Sequence, residues 1–330
     1  MSTDQITYIV FGIVLLLALF FDLGLLSTKG KRITIRQALY QTFFWVGLAL
    51  AFFVFMWAQN GQKAGLEYLS AYLMEWSLSI DNIFVFILIF SSFGVKEKNF
   101  GRVLLIGILM AIVFRIVFIT VGVALVNQFH WILYIFGVFL VYTGYKMFTA
   151  SDDEEFDPRE SKVYKWLKRI IPLVPHDGDG RYVVRENGKR FYTTLFVVVM
   201  MLAAIDLVFA LDSIPAVMGI VDNSPEHREV ARLVIYTSNI FAVLGLRSLF
   251  FLLRGAVSKF DYLQQGIAVV LVFIGCKMLC QGWINRLVPD KTIQVIISLG
   301  VIMVCLAGSV FYSIFMKKKG GPEDITDESI

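Results

Sequence analysis

Charge is what this sequence is short of. Of its 330 residues only 17% are Asp, Glu, Lys or Arg while 58% are apolar; a soluble domain carries roughly a quarter charged and about half apolar. The shortage excludes a soluble globular protein and points to a polytopic membrane protein. Cysteine is scarce too. Cys276, Cys280 and Cys305 all fall inside apolar runs, where a small apolar thiol is the ordinary reading and a disulfide framework is not. Cys276 and Cys280 stand one helical turn apart, but CxxxC lacks the two-residue spacing of redox and zinc motifs. No nucleotide-binding loop is present, so ATP drive would require a partner, and no basic stripe suggests nucleic acid.

Apolar length abounds. Stretches that meet the requirement of about 20 residues for a spanning helix lie near 6–26, 38–58, 68–92, 102–127, 130–149, 193–221, 231–254, 262–283 and 292–316. The expected fold is therefore all-α and polytopic, with about nine transmembrane helices. The first stretch follows only Asp4 and precedes Lys29, Lys31 and Arg32, so it reads as a retained anchor rather than a cleaved signal. Lys and Arg concentrate in alternate connections: Lys29, Lys31, Arg32 and Arg36; Lys96, Lys98 and Arg102; Arg254 and Lys259; and Lys317, Lys318 and Lys319 in the tail. By the positive-inside rule these are cytoplasmic, which puts the N-terminus outside and the C-terminus inside.

One connection is long. Residues 150–192 open on the acidic cluster "SDDEEFDPRE", pass through "SKVYKWLKRI" and end in "RYVVRENGKRFYTT". Asn187-Gly188 between β-formers signals a type I′ hairpin. The middle stretch sets Val163, Trp166, Leu167 and Ile170 against Lys162, Lys165, Lys168 and Arg169, a pattern suited to an anionic membrane surface. The acidic cluster reads as a solvated charge run, and His176, Asp177 and Asp179 resemble a metal-binding tract only faintly.

An internal repeat organises the rest. Glu75 and Asp81 in "EWSLSIDNIFVF" recur as Asp206 and Asp212 in "IDLVFALDSIPAV", an offset of 131 residues (206 − 75 and 212 − 81). At the same offset 137–148 lies on 268–279, with identities at Val138, Leu140, Val141, Gly144, Lys146 and Met147. Arg115 falls on Arg247 after a one-residue slip. The chain thus divides into two N-terminal spans (1–67), a first triplet (68–149), the connection (150–192), a second triplet (193–283) and a last span with its tail (284–330). Each triplet is odd-numbered, so the second enters the membrane from the opposite side: an inverted repeat, whose members in transporters place the substrate near the midplane.

Four intramembrane acids demand company. Each costs about 2.5 to 3.5 kcal/mol at a span centre by insertion scales, so together they would cost roughly 10 kcal/mol unmet. Arg115 and Arg247 supply two counter-charges and leave a surplus of two negative charges, which a divalent cation would neutralise. Six residues turn a helix through about 240° and rise about 9 Å, so Glu75 and Asp81 do not share a face and one compact cage is not expected. Asp81 with Asp212 at the centre, flanked by Glu75 and Asp206, is the arrangement anticipated. Asn82, Ser213 and Asn239 in "TSN" add oxygens, and Pro215 frees the carbonyl of Leu211. An all-oxygen set favours Mg²⁺, Ca²⁺ or Mn²⁺ over Zn²⁺ or Cu⁺. The alternative is that the acids merely pair with Arg115 and Arg247 to hold helices together. Lys146 and Lys277 are expected to snorkel, as is Asp22, and the phenylalanines to face lipid.

"EWSLSIDNIFVF", "FALDSIPAV", "TSNIFAVLGLRSLFFLL" and "WILYIFGVFLVYTGYKM" resemble signature segments of the TerC family of integral membrane proteins, and the layout is similar to its Alx-type branch, over about residues 5 to 315. The resemblance implies export of manganese as substrate, with no prosthetic group, through acids matching Glu75, Asp81, Asp206 and Asp212, beside Asn82, Ser213 and Asn239. Protons are the expected coupling ion. The tellurium and redox labels of the family find no chemistry in the cysteines. A non-transporting sensor or assembly factor working through 150–192 stays open. An enzyme is not expected: intramembrane aspartyl proteases surround their second Asp with Gly-x-Gly-Asp, absent here.

The alternation of charge makes a topological prediction. In cysteine-free protein in intact cells, an impermeant thiol reagent is expected to modify Asn223→Cys and spare Ser151→Cys; modification of the latter refutes the inverted arrangement.

Overall fold

The computed structural model describes residues 3–26, 34–129, 131–149, 159–186, 188–222, 224–254 and 263–319. It is almost wholly helical: α1 (Thr3–Leu26), α2 (Ile35–Ser92), α3 (Glu97–Gln128), α4 (Ile132–Thr149), α5 (Lys162–Ile170), β1 (Val183–Glu186), β2 (Lys189–Tyr192), α6 (Thr194–Ile220), α7 (Arg228–Leu253), α8 (Leu263–Leu279), α9 (Gln281–Leu287) and α10 (Lys291–Lys319). Six helices among the described residues are long and apolar enough to cross a membrane, or seven if α8 and α9, bent by 80°, form one span. That is fewer than the nine expected. Two reasons are visible: the apolar described stretch of α1 is only Ile6–Ala18, and α2 is one hydrogen-bonded element that contains two arms.

The break in α2 is at Gly61, whose φ of 90° and ψ of 168° are open to glycine without a Cβ clash. In a straight helix Phe52 and Tyr68 would be about 24 Å apart; their ring centroids are 5.4 Å apart. A Cβ on Gly65 would lie 3.0 Å from that of Trp57. The chain therefore folds back on itself, and the arms 35–60 and 62–92 run antiparallel. The first arm is opened by a capping box, with the Gln37 N–H donating to Thr34 Oγ1 (3.3 Å) and the Thr34 N–H to Gln37 Oε1 (3.1 Å).

The connections gather at two ends. At one, Lys63 pairs with Asp222, and Leu133, Tyr134, Gln281 and Asn285 share a cavity wall with Asp222. At the other, Arg254 pairs with Glu97 (3.0 Å), Lys96 with Asp177 (2.9 Å), and the Arg159 guanidinium donates to the Ser92 carbonyl. This is the alternation expected from charge. It also means that α6, α7 and α8 run opposite to their counterparts, the second arm of α2, α3 and α4.

α7 is the core: every residue from Thr237 to Phe251 is buried. Phe241 meets Phe11, Phe52 and Tyr68, and Phe90 meets Phe100 and Phe250. Much of the phenylalanine thus fills the interior rather than facing lipid, because the central helix needs a wide apolar collar. α4 and α10 are peripheral, with Tyr142, Tyr145, Val304 and Phe311 exposed.

α4 and α8 press backbone to backbone at glycines. A Cβ at Gly144 would meet the Ala268 carbonyl at 2.7 Å, with Val272 next; one at Gly275 would meet the Gly137 carbonyl at 2.7 Å, with Val141 next. The two contacts exchange at the 131-residue offset, 144 for 275, 137 for 268 and 141 for 272. Small residues give such close approach in lipid, where dispersion must replace the missing hydrophobic force.

The hairpin forms as expected, with Glu186 opposite Lys189 and Gly188 at φ 77°. Asn187 and the acidic cluster at 151–157 lie outside the described residues, as does the side chain of Asp22. In α5 only Leu167 is fully buried; Tyr164 packs on Phe93, while Trp166 and Ile170 are exposed. His176 is engaged at both ring nitrogens, by Glu186 (2.9 Å) and the Gly178 N–H (3.1 Å). The Lys96 ammonium holds the Asp177 carboxyl below the usual range. The faint metal tract is thus spent on local bonds.

The paired glycines are testable. Gly144→Ala and Gly275→Ala are each expected to cost the overpacking penalty of about 1–3 kcal/mol and lower the Tm of the purified protein to a similar extent. Gly47→Ala, where the added Cβ meets nothing within 4 Å, is expected to leave Tm unchanged or raised.

Candidate functional site

The carboxylates of Glu75 and Asp206 find an arginine. Arg115 of α3 is 1% exposed, and its guanidinium holds both repeat-related acids at once. Nε donates to Asp206 Oδ2 at 2.7 Å and Nη2 to Asp206 Oδ1 at 3.0 Å; Nη1 donates to Glu75 Oε2 at 2.7 Å and to Asn239 Oδ1 at 3.0 Å. Asn239 closes the ring, its Nδ2 donating to Glu75 Oε1 at 2.5 Å. That amide orientation is dictated, since guanidinium offers no acceptor and carboxylate no donor. Four helices meet here: α2, α3, α6 and α7.

All four oxygens of Glu75 and Asp206 are thereby used. The planar fork of Arg suits a bidentate grip that an ammonium would not match. One cation against two carboxylates leaves the network one negative charge in excess. Glu75 and Asp206 are nearly inaccessible, at 0% and 1%. They act as a helix clamp rather than as open ligands flanking a central ion.

Asp81 and Asp212 diverge from this clamp. The second arm of α2 and α6 are antiparallel, so six residues of rise, about 9 Å, carry Asp81 toward one end and Asp212 toward the other. The side chains of both lie outside the described residues. Glu75 and Asp206, anticipated as flanking ligands, meet at Arg115, and the helix positions of Asp81 and Asp212 lie about 9 Å from theirs in opposite directions. The physical reason is the antiparallel geometry, which only the fold supplies.

Next in sequence to Asp81, and likewise to Asp212, is a residue with a buried oxygen without a partner. Asn82 Oδ1 and Ser213 Oγ, repeat-related positions, make no hydrogen bond, nor does Ser79 Oγ one turn from Asn82. Buried polar atoms are normally satisfied. In α6, Pro215 leaves the Leu211 carbonyl without its helical donor. Of the oxygens of "TSN", Asn239 Oδ1 accepts from Arg115, while the Thr237 and Ser238 hydroxyls donate to their own helix at Leu233 O (2.8 Å) and Ile235 O (3.4 Å), because serine and threonine hydroxyls in a helix reach the preceding turn. Arg247 is buried at 5% exposure, eight residues along α7 from Asn239. Among the described residues no three His, Cys, Asp or Glu side chains group to hold a metal ion.

One further residue escaped the sequence reading, and another departs from it. Glu67, 3% exposed, sits just before the second-arm span and looked like a flank. Lys277 is 8% exposed and lines a cavity instead of snorkelling; Lys146, its repeat mate, is exposed. The difference arises because α9 bends back over the end of α8. Cys276, Cys280 and Cys305 are free thiols, the first two exposed.

Residues 60–321 match the Integral membrane protein TerC family. The chain is 38% identical over 303 residues to "Uncharacterized membrane protein STKORF319" of Myxococcus xanthus, covering 92% of this chain and 90% of the relative. It is 36% identical over 325 residues to "Putative membrane-bound redox modulator Alx" of Escherichia coli (strain K12), covering 94% and 96%, and 37% identical over 301 residues to the protein of the same name in Salmonella typhi, covering 88% of each. No solved structure matches the chain.

The clamp predicts a large stability effect. Arg115→Met strands two buried carboxylates and is expected to cost about 3–5 kcal/mol, with Arg115→Lys restoring only part. Thermal unfolding in detergent measures this; a wild-type Tm for Arg115→Met would show that Arg115 does not hold the helices.

Proposed function

We propose, for a chain that belongs to the integral membrane protein TerC family, that it exports divalent metal cations, manganese first among them, from the cytoplasm through its intramembrane carboxylates. The observation that carries this reading is the pair of buried, unbonded oxygens, Asn82 Oδ1 and Ser213 Oγ, set at repeat-related positions beside Asp81 and Asp212. Oxygen acceptors without donors are what a hard cation replaces its water with.

Charge supports the same reading. Six charged groups, Glu75, Asp81, Asp206, Asp212, Arg115 and Arg247, leave two negative charges uncompensated when all are ionised, one within the clamp of Arg115, Glu75 and Asp206 and one among Asp81, Asp212 and Arg247. The cation then moves between two stations, Asp81 with Asn82 and Asp212 with Ser213, on either side of Arg115. Opposed helix directions and the exchanged glycine contacts of α4 and α8 favour an inverted repeat, in which rocking of one triplet against the other exposes the stations in turn. The cytoplasmic side is the end bearing Lys96, Arg102 and Arg254, in an inner membrane.

The name of the Alx relatives attributes redox modulation to those proteins. We assign the thiols of this chain no part in transport.

The test is Mn²⁺ flux in liposomes containing the purified chain. Asp81→Asn and Asp212→Asn are each expected to abolish flux while Tm holds or rises, because loss of a midplane charge relieves the burial penalty as it removes a hard ligand. A cysteine-free version is expected to transport as the wild type does. Residual flux in strongly destabilised Asp81→Asn or Asp212→Asn protein would make these acids structural and the reading wrong.

A further inference from the structure

At the end where α2 turns at Gly61, a cavity of about 350 Å³ lies between the start of α4, residues 218–222 with Ser224, α8 and α9. Glu67 lines it. The hydrogen bond this buried carboxylate accepts among the described residues comes from the Asp222 N–H, at 3.1 Å on Oε1. The charged and titratable groups facing it are Lys63, ion-paired to Asp222, then Asp222 itself, Lys277 from α8, and Tyr134 from α4 across the cavity.

Three acids are buried among the described residues: Glu67, Glu75 and Asp206. The last two are committed through three oxygens to one guanidinium and through the fourth, Glu75 Oε1, to the Asn239 amide. A carboxylate so held cannot accept a proton without breaking the clamp that joins four helices. Glu67 has no such tie. It borders space large enough for water, and two turns of helix, about 12 Å, separate it from Glu75 on the same arm. Glu67, Glu75, Ser79 and Asn82 fall within about 120° of one another around that arm at 100° per residue, and all are buried. A polar stripe therefore runs from the cavity past the clamp to the unbonded oxygens beside Asp81.

We infer that Glu67 is the proton-carrying carboxyl of this exporter, taking up a proton from water in the cavity. The inference rests on the transport reading above and names its coupling group. The step balances simply: the Glu67 carboxylate binds one H⁺ from the medium outside and becomes a neutral carboxyl, its charge relations with Lys63 and Lys277 loosen, and after the triplets rock the same H⁺ is released on the cytoplasmic side. No other bond forms or breaks. A divalent cation is a poorer occupant of this cavity, because Lys63 and Lys277 already match the charges of Asp222 and Glu67.

Full-length protein in liposomes with an internal pH-sensitive dye tests this, using Mn²⁺ as the probe. In the wild type, Mn²⁺ movement is expected to drive protons the opposite way. Glu67→Gln is expected to lose that proton movement while Mn²⁺/Mn²⁺ counterflow persists, and Glu67→Asp to keep it with a displaced pH profile. Wild-type proton movement in Glu67→Gln overturns the inference; so does loss of counterflow in a variant of wild-type Tm, which would make Glu67 a cation ligand. If Glu67→Gln does not fold, an unchanged pH profile in Glu67→Asp overturns it instead. Infrared difference spectra between acid and alkaline buffer give a readout independent of transport. A protonated-carboxyl band present in the wild type and lost in Glu67→Gln supports the inference. Without that band the inference falls, whereas a wild type that carries no Mn²⁺ but shows it refutes the transport reading alone.

Discussion

Everything in the interior is arranged around one guanidinium. Arg115 brings Glu75 and Asp206 together from helices that run in opposite directions, and Asn239 ties in a third. In an apolar medium, charges so buried are tolerable only when each lone pair and each N–H is met, and here they are met almost completely. Once the clamp is formed, the relative height of α2, α3, α6 and α7 is set. So is the placing of Asp81 and Asp212, each about 9 Å further along its own helix.

Packing around the clamp is of two kinds. α7 is sheathed in aromatic rings, and its burial from Thr237 to Phe251 leaves little freedom to slide. α4 and α8 instead meet through glycines with carbonyls close against the missing Cβ, a contact that depends on backbone shape alone. The first kind suits a fixed core, the second a seam between two like halves. The transport proposed above draws on both: stations for a cation on either side of a rigid centre and, at one end, the cavity that Glu67 and Lys277 line.

The family to which the chain belongs was legible in short motifs, and so was the all-α membrane class, because about 20 apolar residues in a row have no other stable use. Alternation of Lys and Arg foretold which connections share an end. The repeat, read from Glu75, Asp81 and their mates, foretold opposed helix directions. What misled was distance: Glu67 lay one residue outside an apolar run, and Lys277 looked like a terminal lysine because nothing in its own segment announces the 80° bend into α9.

The sequence by itself determined the kinds of residue that must meet: four acids and two arginines in spans demand pairing whatever the fold, since hydrocarbon offers no water to solvate them. Which acid meets which arginine was decided only by tertiary structure. Arg115 is equally compatible, by spacing, with Asp81 or Glu75, and with Asp212 or Asp206. Antiparallel packing brings the earlier acid of each pair level with it and carries the later one away toward opposite ends. Spacing along one helix fixes rise and angle; the height of one helix against another is fixed by packing, and that information is not local.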